Sequence, residues 1–305
     1  MSWRGPPFCR WISRLACSCR ASELRFLSIF YTATVINKLG PVKESSEMRN
    51  ALQSSFAEEE LEPLTAEFRL TSEQSEDRAH SVPAAELLNE TGCIDYIDRV
   101  SRLFGTTSRT VGGSLFAKRY SYMTAMPVLY AMTMNNKGLP ASIENCHVES
   151  RFREDGVWLP GLRLNDWHTS DAANDDRHDW RDNVLRSLFA GNIAKLWRSF
   201  SKANRVSAAT LWENTAVNVY WLYEQRIGDS SDPVLQARIR EDYDYLLSAP
   251  GDLFGEKTNP LIKFDSPKVK LPQSEKPIRI RKTCCLYYLT DGERSYCSIC
   301  PKAEE

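Results

Sequence analysis

The stretch Gly112–Asn136, GGSLFAKRYSYMTAMPVLYAMTMNN, decides the fold class. Leu115, Met123, Met126, Leu129 and Met134 set apolar side chains almost all round a helical turn, the pattern of a helix buried on every side. A central helix is therefore expected over Gly112–Met134, closed by Asn135-Asn136-Lys137-Gly138. Pro127 inside it removes a backbone donor and crowds the preceding turn, so a kink or break is expected there. The methionines read as core packing, because an unbranched thioether fills irregular gaps. Lys118 and Arg119 are out of keeping with so apolar a helix; they either snorkel at its edge or face an anionic ligand.

Beyond this helix the period changes from helical to two. Ser142–Glu154 and Gly156–Leu164 read as strands, with Asp155-Gly156 as a hairpin turn. Trp158 and Trp167 bracket the start of a polar loop, Asn165–Asp179, where His168 and His178 read as surface histidines. Three more long helices follow. Asp179–Asn204 turns Val184, Leu188, Ile193, Leu196, Trp197 and Phe200 inward. Ser207–Arg226 is capped by Ser207 and carries Glu213 and Asn214 on an apolar face, where buried polar groups must tie helices together. Asp232–Ser248 is the last and stops at Pro250-Gly251. On the N-terminal side, Cys93–Phe104 has helical spacing, Pro83 opens a short helix, Thr71–Val82 is loop, and Leu61–Leu70 alternates weakly as a strand would. The fold class expected is α+β: a predominantly α-helical body with a short antiparallel β-hairpin and a C-terminal cysteine-rich metal-binding tail.

Composition narrows the function. In 305 residues, 42% hydrophobic content and eight tryptophans permit a sizeable core. A net charge of −1 argues against a general nucleic-acid binder. No apolar run is long enough for a transmembrane helix. Residues 1–22 hold four arginines and no acid, but the apolar stretch behind them is broken by Ser28, Thr32 and Thr34, so it makes a poor signal core. Residues 1–47 are expected to be an extension outside the domain, with Met48 as a natural start. Residues 48–265 form the body and 266–305 a basic linker with the metal-binding segment; Ser266–Lys282 holds six Lys or Arg against one Glu. That basic run is either a solvated linker or a collar that attracts an acidic electron donor. No Gly-rich phosphate loop or nucleotide fingerprint is visible.

The chemistry lies in the tail, Thr283–Glu305, TCCLYYLTDGERSYCSICPKAEE. Cys284 and Cys285 are adjacent; eleven residues separate them from Cys297, and two separate Cys297 from Cys300. Four thiolates suit zinc or an iron–sulfur cluster and exclude calcium and magnesium as intended occupants. Zinc sites are usually built from two spaced pairs. Neighbouring side chains of an extended chain point to opposite faces, so an adjacent pair reaches one ion only through a tight turn. A two-iron cluster tolerates that geometry better. Disulfides remain a third possibility, though a bridge between Cys284 and Cys285 would be strained and cross-paired bridges need an oxidising compartment. Cys9, Cys17, Cys19, Cys93 and Cys146 are scattered, with no second ligand pattern, and an odd total with one tight cluster suits a reducing compartment.

This tail resembles that of ferric-siderophore reductases of the FhuF type, in its cysteines and in Arg281-Lys282-Thr283, Leu286-Tyr287-Tyr288-Leu289 and Pro301. The spacing is one residue longer than the family's usual one, and Asp291-Gly292 is the turn that can absorb it. Ser114–Tyr120, Asn192–Trp197 and Leu211–Asn214 extend the resemblance, which also takes in the C-terminal part of siderophore synthetases, to roughly residues 85–301. The resemblance implies one [2Fe–2S] cluster on Cys284, Cys285, Cys297 and Cys300, one-electron reduction of a ferric siderophore, a ferredoxin or flavodoxin system as donor, and a cytoplasmic location. Lys118, Arg119, Arg151 and Arg153 are the candidate contacts for an anionic chelate, on charge alone. Two other readings stay open: an iron- or redox-sensing Fe–S protein, and a zinc-stapled helical protein without redox activity.

Overall fold

In the computed structural model, which describes residues 55–172, 177–270, 277–290 and 296–303, the acidic run Glu58–Glu62 forms a short helix, α1, continued by a wide turn over Pro63–Glu67. Of the expected strand Leu61–Leu70 only Leu70 is extended, in β1 (Leu70–Thr71). The alternation at Leu61–Leu70 misled because Leu61, Leu64 and Phe68, the apolar residues packed inward, are three and four apart, a helical spacing. β2 (Val82–Pro83) runs into a 3₁₀ turn at Ala84–Leu88. α2 (Glu90–Leu103) is capped by the Asn89 side chain, which accepts from Gly92 N at 3.0 Å. α3 (Arg109–Asn135) starts at the Ser108 cap and stops where Asn136 turns left-handed, φ 52°.

The sheet residues come next: β3 (Lys137–Gly138), β4 (Cys146–Glu149), β5 (Gly161–Leu164) and β6 (Ser170–Asp171). Then α4 (Arg177–Leu188) passes through a wide turn, Phe189–Ile193, into α5 (Ala194–Asn204). α6 (Ala208–Trp221), capped by Ser207, ends in another wide turn, Leu222–Arg226. α7 (Pro233–Ser248) starts with Pro after the Asp232 cap, whose side chain accepts from Val234 N at 2.9 Å.

α3 is the centre, packed against α2, α4, α5, α6 and α7. It is not broken at Pro127 but runs through it as one helix. Pro127 is buried among these neighbours, which hold the turn that the missing backbone bond would otherwise open. The β4–β5 hairpin forms as expected, in register from Cys146 opposite Leu164 to Glu149 opposite Gly161, with its turn at Gly156. Its strands are shorter than their sequence pattern, and it belongs to a four-stranded sheet ordered β1-β5-β4-β2, in which β1 pairs parallel to β5. β3 and β6 form a separate pair. Among the described residues no helix is long and apolar enough to cross a membrane. The expected extension, residues 1–47, and the Asp291-Gly292 turn lie outside the described residues.

Gly112 sets the closest helix crossing: a Cβ there would sit 1.7 Å from Ser101 Oγ on α2. Gly112→Ala must push α2 off α3, and a loss of about 1–3 kcal/mol is expected in denaturant unfolding. An unchanged midpoint would mean that Ser101 simply swings aside.

Candidate metal centre

The tail is seated on the body by three side chains of the central helices. Glu213 of α6, 1% exposed, accepts from Lys282 N at 2.6 Å, from Thr283 N at 2.7 Å and from the Thr283 hydroxyl, and lies 3.5 Å from Arg281 Nε. Arg281 also donates to Asn214 Oδ1 at 2.8 Å. Ser114 of α3 donates to the Cys285 carbonyl at 2.9 Å, and Asn214 donates to the Ser114 carbonyl at 3.0 Å. The polar pair Glu213-Asn214 thus ties helices, as its sequence setting requires, and also fixes the residues just ahead of the adjacent cysteines.

Four thiols meet there. Cys285, Cys297 and Cys300 are buried and Cys284 is half-buried against them. Cys285 Sγ and Cys297 Sγ are 3.9 Å apart, and the Cys284 side chain pairs with that of Cys300. Among the described residues no three of these or other acidic or imidazole groups close on one point. The set is two pairs of thiols. Leu286, with φ 65°, turns the chain sharply after the adjacent pair. Backbone N–H groups point at sulfur: Leu286 N at 3.4 Å from Cys284, Tyr287 N toward Cys285, and Lys302 N at 3.4 Å from Cys300. The hydrogen bond with Cys297, then the charges of Lys118 and Arg281, outweigh burial and lower the Cys285 thiol to about 5. A thiolate, the ligating form, is favoured at that position.

Cys93 and Cys146 sit apart, each beside an amide: Asn204 at 3.2 Å and Asn192 at 3.3 Å. Burial pushes the Cys146 thiol up to about 12. They behave as small core residues, as their sequence setting suggests. His168 and His178 are exposed.

The four candidate anion contacts separate into two kinds. Arg151 is bound to Glu73 at 2.7 Å, and Arg153 to Asp155. Lys118 and Arg119 meet no carboxylate among the described residues. Arg119 donates from Nε to the Trp158 carbonyl at 3.4 Å and stacks on Phe104, 4.4 Å from the ring centroid. Burial, then the charge of Arg69, lowers its pKa to about 10. Burial lowers that of Lys118 as well, the largest cause, while the Cys285 and Cys297 sulfurs act in the opposite sense. Arg69 is a third cation of this group, not singled out in the sequence. The only signal it offers is an arginine directly between Phe68 and Leu70.

Part of the basic run after Ser266 is neutralised within the chain. Lys268 and Arg279 reach Glu224 at 2.8 and 3.0 Å, and Arg279 also reaches Asp265 at 2.7 Å. Burial alone would raise the Glu224 carboxyl; the hydrogen bonds from Arg279 and Lys268 outweigh it and hold the group below its ordinary value. A depressed folded pKa contributes stability that is full above the unfolded carboxylate value and is lost as pH falls through the folded one. The protection factor for hydrogen exchange at the Val269–Ile278 bridge, taken relative to the intrinsic rate at each pH, should therefore fall roughly tenfold below the usual carboxylate range, and Glu224→Gln should show the low protection at neutral pH. Equal protection in the variant at neutral pH would show that Glu224 does not hold the connector.

A family model described as "Ferric iron reductase FhuF-like transporter" matches residues 114–270, ending ahead of the cysteine tail. Among solved structures the chain is similar to aerobactin synthetase IucC from a hypervirulent pathotype of Klebsiella pneumoniae, at 14% identity and TM-score 0.39, over 59% of this chain and 36% of that one. No curated protein matches the sequence.

Proposed function

The chain belongs to the FhuF-like ferric iron reductase family, and from that premise we propose that it is a siderophore-iron reductase, giving one electron to the Fe(III) of a bound siderophore. The observation that carries this reading is the meeting of four thiols as two pairs on a buried seat. Cys285 and Cys297 would hold one iron of a [2Fe–2S] cluster, and Cys284 and Cys300 the other. When bound, the cluster supplies single electrons at a potential tuned by its hydrogen bonds. The N–H groups of Leu286, Tyr287 and Lys302 are positioned to make those bonds to sulfur. Glu213 and Ser114 hold the ligand segment still, so that little reorganisation accompanies a change of charge.

The substrate's chemistry follows from hard oxygen donors, which hold Fe(III) far better than Fe(II). One electron converts the chelated Fe(III) to Fe(II) and loosens it. Cys284 is the least buried ligand, and Tyr287, Leu289 and Tyr296 of the same tail are exposed, which suits approach of a ferredoxin or flavodoxin. The reading places the protein in the cytoplasm, where thiols stay reduced. The working unit begins near Met48, with a body to residue 265 and a linker and cluster segment after it. A chain begun at Met48 should be soluble and cluster-loaded; loss of folding would show that residues 1–47 belong to the domain.

The test is single turnover. Anaerobically reduced protein, mixed with ferric siderophores, should regain the visible absorption of the oxidised state as an Fe(II) chelator captures one iron per electron. A coloured protein that transfers to no ferric siderophore would move the function to sensing. A colourless protein holding zinc would make the site a structural staple.

A further inference from the structure

We propose that Arg69, Lys118 and Arg119 form a cationic seat beside the thiol cluster that selects ferric chelates of net negative charge, with catecholate or carboxylate oxygens, over uncharged trihydroxamates. The inference rests on the reductase reading and narrows its substrate class.

The first observation is a contrast within the chain. Arg151, Arg163, Arg177, Arg181, Arg279 and Arg281, all turned inward to some degree, lie 2.7–3.5 Å from a Glu or Asp oxygen. Such pairing is the rule, because a buried charge without a partner is costly. Arg69, Lys118 and Arg119 are half-buried and have no carboxylate partner among the described residues. One terminal nitrogen of Arg69 is shut off from solvent with no hydrogen-bond partner among the described residues. Lys118 faces the Cys285 and Cys297 sulfurs, while Arg69 and Arg119 meet no carboxylate among the described residues, an arrangement open to an anionic ligand.

The second observation is their alignment. Ser114, Lys118 and Tyr122 follow one another at four-residue spacing along α3, so they share one face. Ser114 holds the Cys285 carbonyl at 2.9 Å, which puts Lys118 one turn from the thiol pair. The Arg69 guanidinium lies 4.8 Å from the Tyr122 ring centroid, and Arg119 is three residues before Tyr122, so all three charges lie along this side of the helix. The alignment leads from the cysteines outward, the route an electron would take to a chelate held by the three charges.

The third is backbone strain at Arg69. Its φ of 63° is left-handed, a conformation that costs a long side chain and clusters at functional sites. It is held there by the bond from Leu162 N to the Arg69 carbonyl at 3.0 Å. Gly161 permits the approach, since a Cβ there would lie 2.8 Å from that carbonyl. The chain keeps an arginine where glycine or asparagine would fit with less strain.

Gallium(III) chelates test this, because gallium copies the size and charge of Fe(III) but accepts no electron. Binding to the cluster-loaded protein is followed through tryptophan fluorescence, Trp158 being next to Arg119. A trianionic Ga(III) tricatecholate should bind about tenfold or more tighter than an uncharged Ga(III) trihydroxamate, with the preference shrinking as salt rises. Arg69→Asn, which keeps the left-handed preference, combined with Arg119→Gln should erase the preference; Arg109→Gln, whose charge is matched by Asp98 at 2.6 Å on the surface, should keep it. The cluster spectrum and thermal melt report folding, and Arg119→Gln alone serves if the double variant misfolds. Equal affinity for both chelates, a preference retained in the folded variants, or displacement by inorganic phosphate at constant ionic strength would overturn the seat. Failure of electron transfer to the Fe(III) forms alongside selective gallium binding would overturn the reductase reading instead.

Discussion

Replacing Cys297 by Ser is expected to strip the protein of its visible chromophore and most of its iron. The substitution trades a soft, anionic thiolate for a hard hydroxyl that stays protonated near neutral pH. Cys297 is also the 3.9 Å partner of Cys285, so one of the two thiol pairs is broken while the other stays intact. The same result is expected for Cys284, Cys285 and Cys300, and the opposite for Cys146→Ser. The Cys146 thiol is enclosed by the core beside Asn192, and a serine there can keep the amide contact. Iron and inorganic sulfide per chain, with absorption and paramagnetic resonance of the dithionite-reduced protein, provide the measurement under iron-replete expression. A spectrum retained in Cys297→Ser, or lost equally in Cys146→Ser, would falsify the ligand assignment.

The second large effect is expected at a residue that is not a ligand. Glu213→Gln keeps the shape of the side chain but removes the charge that faces Arg281, 4% exposed, and presents a donor to backbone N–H groups that need an acceptor. Leaving one member of a buried ion pair uncompensated costs about 3–5 kcal/mol. The cost falls on the segment just ahead of the adjacent cysteines, so cluster retention should fall about 10–100-fold, the scale seen when outer partners of metal ligands are removed. The helices should survive, because the main core is built from α2 to α7 without the tail cysteines. Far-UV circular dichroism close to the parent with low iron content is the expected signature. Removing the Arg281 charge as well, as Arg281→Met in the Glu213→Gln background, should recover part of the loading. Full loading in the single variant would mean that the four thiols hold the tail unaided.

How much of this was legible in one sequence can be judged residue by residue. The central helix was legible because its apolar residues cover every face, a pattern that only a buried helix satisfies. The course of that helix through Pro127 was not, because it depends on helices far away in the chain packing round the proline. The hairpin at Gly156 was legible from its turn residues, whereas the parallel pairing of β1 with β5 joins residues about ninety positions apart and leaves no local pattern. Lys118 and Arg119 stood out by being misplaced on an apolar helix. Arg151 and Arg153 carried the same charge in the sequence, and only the fold brings Glu73 to Arg151, while Asp155 meets Arg153 across the hairpin turn.

By itself, then, the sequence determined the helical body and the position of the hairpin, and it singled out the four tail cysteines, since periodicity, turn residues and residue spacing are local properties that survive without a fold. Tertiary structure alone decided which thiol pairs with which, that Glu213 and Ser114 seat the ligand segment, and that Arg69 joins Lys118 and Arg119 as a charge with no carboxylate partner among the described residues. Each of these is a relation between residues distant in sequence, and the strength of a charge or hydrogen bond is set by burial and by the partner brought within reach, neither of which a residue's neighbours in the chain specify.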